Sequence, residues 1–192
     1  MIEISGQIGV DLTYDDFRAI MSEQSGDIEL MINSPGGVVS DGIGIYNTLM
    51  EYEGNIVAYV NGISASIASL IMMAADEVVI YDNSQVMIHK PWTVAAGNSD
   101  DFRNLVSVLE LLDDDLARIY SERTGKSHDE VMEAMKAETY YNAQSAVDFG
   151  LADSVKVVSR KARKEKAQSS ETVSGGVTWA SVLARASIIA SK

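Results

Sequence analysis

The sequence predicts an α/β domain built on a largely parallel sheet. Short β-rich runs alternate with helical stretches from the first residues onward, which is the ordering that βαβ units produce. Hydrophobic residues make up 46% of the chain and charged residues 22%, enough apolar surface to pack a core and too much for overall disorder. A length of 192 residues leaves room for one such domain plus some excess, and not comfortably for two.

Taken in order, the β-rich runs are residues 2–5, 28–32, 56–60, 77–80 and 85–88, with helical segments at about 13–24, 39–52 and 66–75 between the first four. The run from Ser66 to Ala75 is apolar all round, so it is expected as a helix buried in the core, holding its N-terminus rigidly. After Pro91 comes a glycine-containing loop and then a long amphipathic helix, residues 100–124. In it Phe102, Leu105, Val106, Leu109, Leu112, Leu116 and Ile119 recur at helical spacing. An apolar stripe of that length needs a partner surface. Gly125 ends it, and Ser127-His128-Asp129-Glu130 has the capping-box pattern that opens a further helix over 129–137. From Arg160 the composition turns to Arg-Lys-Ala-Arg-Lys-Glu-Lys and then to a Ser/Gly-rich stretch. The domain is therefore expected to span 1–159, followed by a basic, Ser/Gly-rich and flexible tail over 160–192, with an apolar run at 177–190.

Composition narrows the chemistry. A formal net charge of −13 argues against nucleic acid as a partner, because phosphate neutralisation needs clustered Lys and Arg. There are no cysteines, so disulfides, thiolate metal sites and a cysteine nucleophile are excluded. Imidazole chemistry must choose between two histidines, His89 and His128. No basic region followed by an apolar stretch opens the chain and no segment has the length of a membrane span, so a cytoplasmic protein without a membrane partner is expected.

Three segments carry candidate chemistry. Asn33-Ser34-Pro35-Gly36-Gly37 falls between a predicted strand and a helix, where two glycines can leave backbone N–H groups exposed beside a helix N-terminus, as an oxyanion hole requires. Taken alone, an ordinary turn is the simpler reading. Asn61-Gly62-Ile63-Ser64-Ala65-Ser66 lies between a strand and the buried helix, at the carboxyl edge of the sheet where α/β proteins bind ligands. Ser64, Ser66 and Ser69 are all candidate nucleophiles there, and each is also a candidate N-cap. Met87-Ile88-His89-Lys90-Pro91-Trp92 places a histidine at a strand end, from which it can reach a neighbouring strand-helix junction as a general base must. His128, inside a capping-box sequence, is expected to face solvent.

The order of these segments resembles the proteolytic subunit of Clp protease motif by motif. Asn33-Ser34-Pro35-Gly36-Gly37, then Gly62-x-x-Ala65-Ser66, then Met87-Ile88-His89-x-Pro91 follow one another, and the likeness continues through Tyr120-x-x-x-Thr124-Gly125 to Ala146-Val147-x-x-Gly150-Leu151-Ala152-Asp153. The resemblance implies a superhelix of ββα units with a protruding long handle helix, a fold shared with crotonase-type acyl-CoA enzymes. It implies a serine endopeptidase with Ser66 as nucleophile, His89 as base, and the backbone N–H groups of Gly37 and Ile67 as the oxyanion hole. The position of the orienting aspartate falls on Glu138, a departure whose longer side chain needs a displaced backbone or ring; Asp148 and Asp153 are nearby alternatives outside the matching position. No cofactor or metal is implied. The implied assembly is a homo-oligomer of heptameric rings stacked in pairs, with Ser66 facing an internal chamber.

Two departures bear on partners. The first strand begins at Met1, without the segment that helps other members dock a Clp ATPase, which argues against such a partner. With the basic tail and the Glu138-Thr139-Tyr140-Tyr141 variant, this is similar to the phage and prophage branch, whose members are thought to mature head proteins by cutting capsid or scaffolding chains. Two other functions fit parts of the pattern. A crotonase-type acyl-CoA enzyme would use Gly37 and a second N–H on a thioester carbonyl without needing the Ser-His pair, and a catalytically silent scaffold would bind partners through residues 160–192.

Overall fold

The structure is a computed structural model that describes residues 1–159. Residues 1–156 make up one compact unit, and Val157 opens a second whose greater part lies outside the described residues. The expected basic tail, and the apolar run within it, also fall outside them.

Five strands form the main path of the sheet: β1 (Ile2–Ile8), β2 (Ile28–Gly37), β3 (Ile56–Ala65), β4 (Glu77–Tyr81) and β7 (Ser154–Lys156), in the order β1-β2-β3-β4-β7 and parallel throughout. β5 (Gln85–Ile88) pairs parallel with β3, and β6 (Thr139–Asn142) pairs antiparallel with β5. The helices are α1 (Tyr14–Ser22), α2 (Val39–Met50), α3 (Ile67–Ile71), α4 (Ser99–Thr124), α5 (His128–Lys136) and α6 (Ala143–Phe149). This is the parallel α/β arrangement expected from the alternation of elements.

Local chemistry explains where the helices begin. Thr13, Asn98 and Ser127 each close a capping box with an acidic residue three positions on, Asp16, Asp101 and Glu130, satisfying N–H groups that the first turn leaves without partners. Hydrogen bonds from Thr13 and Ser127 hold the Asp16 and Glu130 carboxyls below their usual ranges. Gly125 ends α4 in the left-handed conformation, its N–H returning to the Ser121 carbonyl. Ile4, Ile8, Leu30, Ile32, Val60 and Ile80 from the strands pack against Phe17 of α1, Ile45 and Leu49 of α2 and Leu70 and Ile71 of α3, all almost wholly removed from water. Such burial is the main favourable contribution to folding.

Two features differ from the sequence reading. β2 and β3 run five residues beyond the expected strands, since Ser34 pairs with Ser64, and Gly36 and Gly37 pair with Gln7 and Ile8 of β1. Glycine, proline and serine in 33–37 look like turn punctuation, yet the backbone stays in the ladder by shifting register between Ser5 and Gln7 and between Ile32 and Ser34. The expected helix over 66–75 is a five-residue α-helix followed by a tight 3-10 turn at Met72–Ala74. Its burial is as expected, with every residue from Ile67 to Met73 inside.

β3 has two partners along its length. Residues 57–60 pair with β4, and residues 63–65 pair with β5. Its last residues therefore run beside the end of β5, which brings two segments carrying candidate chemistry to one edge. α4 is 26 residues long, and its buried positions, Asp113, Leu116, Ala117, Ile119 and Tyr120, all lie in its second half. Phe102, Val106, Val108 and Leu111 of the first half are exposed.

Candidate active site

The site starts from the register of β3 against β5. Ala65 stands opposite Met87, and the Ser66 N–H donates to the Met87 carbonyl at 2.9 Å, so Ser66 and His89 leave the sheet side by side. Ser66 then turns the chain into α3 at φ 55° and ψ −133°, a conformation that costs a residue with a Cβ on the order of 1–3 kcal/mol. Its neighbours hold it there. The Ser66 carbonyl accepts from the Ser69 N–H at 2.9 Å and lies 2.6 Å from the Ser69 hydroxyl.

This elbow presents the Ser66 side chain to the histidine. Ser66 Oγ lies 2.7 Å from His89 Nε2. With the ring proton on Nδ1, the serine hydroxyl donates to Nε2, the arrangement in which a neutral imidazole can take the serine proton. Both side chains line a cavity of about 450 Å³ together with Gly36, Gly37, Val39, Met87, Pro91 and Trp92. Such a volume accommodates a few residues of an extended peptide or a small ligand.

Gly36 and Gly37 bring the backbone close to the serine. At Gly36, φ is +96°, and a Cβ there would lie 2.6 Å from Ser66 Cβ and 3.1 Å from Ser66 Oγ. A Cβ on Gly37 would run into the Ile8 backbone. The strand is pinned from behind, because the Gly36 N–H donates to Ser34 Oγ at 3.1 Å and the Ser34 hydroxyl donates to the Gly6 carbonyl at 2.6 Å. Ile67 is the first residue of α3, where a backbone N–H has no partner within the helix.

Of the three candidate serines, Ser66 alone lines the cavity. Ser64 and Ser69 are fully buried, and Ser69 is engaged with the Ser66 and Met87 carbonyls. Glu138 lies beside the antiparallel pair β5 and β6: Ile88 stands opposite Thr139 in the last pair of that ladder, and His89 and Glu138 are the residues that adjoin this pair outside the two strands. There the chain turns at φ 49°, Glu138 is exposed, and among the described residues no hydrogen bond or ion pair joins it to the ring. Asp148 accepts from Gln144 at 2.8 Å, and Asp153 accepts from the Val78 N–H at 2.7 Å and pairs with Arg123 at 2.5 Å. His128 is exposed, 3.5 Å from Asp114. No group of three or more potential metal ligands occurs among the described residues, and no helix among them is long and apolar enough to cross a membrane.

Two polar contacts beside the site have no counterpart among the sequence expectations. Tyr120 Oη lies 2.7 Å from Ser69 Oγ beneath the elbow, and burial pushes its phenol well above the ordinary range. Lys90, next to His89, pairs at 2.6 Å with the buried Asp113 of α4. The signal for Asp113 was available: it is a carboxylate between Leu109 and Leu116 on the helical spacing of the apolar stripe.

Comparison with known proteins bears on the family. Residues 12–159 match the family model described as Clp protease. The chain is 36% identical over 142 residues to the ATP-dependent Clp protease proteolytic subunit of Bdellovibrio bacteriovorus, covering 71% of this chain and 66% of that protein. It is 33% identical over 132 residues to the ATP-dependent Clp protease proteolytic subunit 1 of Leifsonia xyli subsp. xyli, covering 68% of this chain and 67% of that protein. The chain thus spans about two thirds of the length of these relatives. With most of the chain matched, and Ser66 and His89 in contact within the matched span, the chain belongs to the Clp protease family.

Proposed function

We propose that this chain is a serine endopeptidase in which Ser66 is the nucleophile and His89 its general base. The observation that carries the reading is the 2.7 Å contact between Ser66 Oγ and His89 Nε2 at a strained elbow facing a cavity. His89 takes the hydroxyl proton as Ser66 Oγ attacks the scissile carbonyl carbon. The tetrahedral oxyanion is held by the Gly37 and Ile67 N–H groups. The imidazolium then gives its proton to the leaving amine nitrogen as the C–N bond breaks. Water, deprotonated by His89, attacks the acyl-enzyme ester, and Ser66 leaves with the returned proton. A crotonase-type acyl-CoA reaction would need only the two N–H groups and leaves the Ser66 to His89 contact without a role.

Glu138 is the orienting carboxylate in this reading, on the strength of its place in the motif before Gly150-Leu151 and beside the Ile88 to Thr139 pair that His89 adjoins. Catalytic hydrogen bonds are often long in the substrate-free enzyme and tighten when substrate binds. Glu138→Gln is expected to lower kcat by as much as about 10⁴-fold with little change in KM, because an amide no longer holds the imidazole in the tautomer that accepts the Ser66 proton. Steady-state hydrolysis of a fluorogenic peptide measures this, and an unchanged kcat removes Glu138 from the mechanism.

The enzyme works as a chamber-forming oligomer of stacked heptameric rings. Support comes from the exposed apolar residues Phe102, Val106, Val108 and Leu111 on the first half of α4, surface that a monomer would leave in water. Its substrates are phage capsid or scaffolding proteins, a reading that rests on the Glu138-Thr139-Tyr140-Tyr141 variant and the basic run at 160–166. Native mass measurement should give a multiple of seven chains. A monomer at micromolar concentration contradicts the chamber, and ATP-dependent degradation stimulated by a host unfoldase contradicts the phage role.

A further inference from the structure

Helix α4 reaches the segment that carries each half of the serine-histidine pair through one buried polar side chain. At the serine end, Tyr120 Oη lies 2.7 Å from Ser69 Oγ and 3.5 Å from the Ser66 carbonyl. Ser69 Oγ is 2.6 Å from the Ser66 carbonyl and 2.9 Å from the Met87 carbonyl. Carbonyls only accept, so with the single Ser69 proton on either of them the Tyr120 hydroxyl donates to Ser69 Oγ. At the histidine end, Asp113 Oδ2 holds Lys90 Nζ at 2.6 Å, while the Lys90 N–H donates to the Met135 carbonyl at 3.3 Å. The residue after the histidine is thereby tied down by both its side chain and its backbone.

The spacing of the two groups on α4 is seven residues, two turns, which sets them on one face of the helix. Leu116 and Ala117 between them are apolar and buried. Packing alone would favour apolar residues at 113 and 120 as well, because a buried carboxylate or phenol is destabilising unless its partners are in place. Asp113 is only partly satisfied, since its Oδ1 has no hydrogen-bond partner among the described residues. Both polar groups point to the segments that carry Ser66 and His89.

We propose that Asp113 and Tyr120 are positioning residues that set the distance between Ser66 Oγ and His89 Nε2, Tyr120 acting through Ser69 and Asp113 through Lys90. The inference rests on the serine peptidase reading above and deepens it. Neither residue lines the cavity of about 450 Å³ that holds Ser66 and His89. Each instead fixes one end of a contact that tolerates little displacement, because an error near 1 Å at reacting atoms costs about 100-fold in rate.

The test is the rate of Ser66 acylation by a fluorophosphonate in the full chain, resolved into kinact and KI, with folding followed by circular dichroism. Tyr120→Phe, Ser69→Ala and Asp113→Asn are each expected to lower kinact by about 10-fold at unchanged KI. Tyr120→Phe combined with Ser69→Ala should be no slower than Ser69→Ala alone, since the two act as one unit. Tyr120→Phe combined with Asp113→Asn should multiply to about 100-fold, since the two anchors are separate. Lys90→Arg should restore most of the rate relative to Lys90→Met. If Asp113→Asn does not fold, the apolar pair Lys90→Met with Asp113→Leu replaces it, with the same expected loss. Folded variants that react at the wild-type kinact overturn the inference, as does a loss that only tracks the fraction unfolded. A wild-type protein that does not react overturns the peptidase reading itself, so the two failures are distinguishable.

Discussion

Ser66→Ala is expected to lower peptide hydrolysis by at least about 10³-fold, His89→Ala by a comparable factor, and the double variant by no more than the worse single one. Non-additivity is the informative part. A nucleophile without its base, or a base without its nucleophile, leaves the same residual activity, that of binding and oxyanion stabilisation alone. Ser66→Ala should fold as well as the parent, because alanine meets the same backbone strain at φ 55° and the holding bonds come from the Ser66 main chain. Steady-state rates on a fluorogenic peptide, with thermal unfolding of each variant alongside, measure both statements. Independent, multiplying losses would mean that Ser66 and His89 do not act as a pair.

Gly36→Ala should cost about 100-fold in kcat without any catalytic group being removed. The added methyl would meet Ser66 Cβ at 2.6 Å and the Ala65 carbonyl oxygen at 2.7 Å, so it displaces the nucleophile from the histidine. It also takes on a backbone φ of +96°, with a strain on the order of 1–3 kcal/mol. Gly26→Ala separates the two effects. Gly26 has φ +72° with nothing among the described residues within 4 Å of an added Cβ, so it suffers strain without the clash. Its stability should fall while kcat stays at the parent value. Equal losses of kcat in the two variants would show that strain, not displacement of Ser66, is responsible.

Much of the architecture was legible because it is written in periodicity. The alternation of β-rich and helical runs led to a parallel sheet, and the uniformly apolar stretch after Ser66 led to a buried helix, both of which the structure contains. The ends of β2 and β3 were not legible, since residues that usually break a strand, Pro35, Gly36 and Gly37, here remain in the ladder through two register shifts. β6, α6 and β7 are three to seven residues long and too short to show a period.

At the site, local sequence left three serines equivalent. What separates them is tertiary: Ser64 and Ser69 are fully buried, while Ser66 lines the cavity against His89. That pairing depends on β3 dividing its edge between β4 and β5, a property of register that no short window contains. The same holds for the Tyr120 to Ser69 contact, which joins residues 51 positions apart.

The central claim, that Ser66 is a nucleophile activated by His89, is tested most directly by intact and peptide-mapped mass spectrometry after fluorophosphonate treatment. The expected result is one adduct per chain, located on Ser66, and absent in Ser66→Ala and His89→Ala. An adduct on another residue, or on Ser66 at an undiminished rate in His89→Ala, would contradict it.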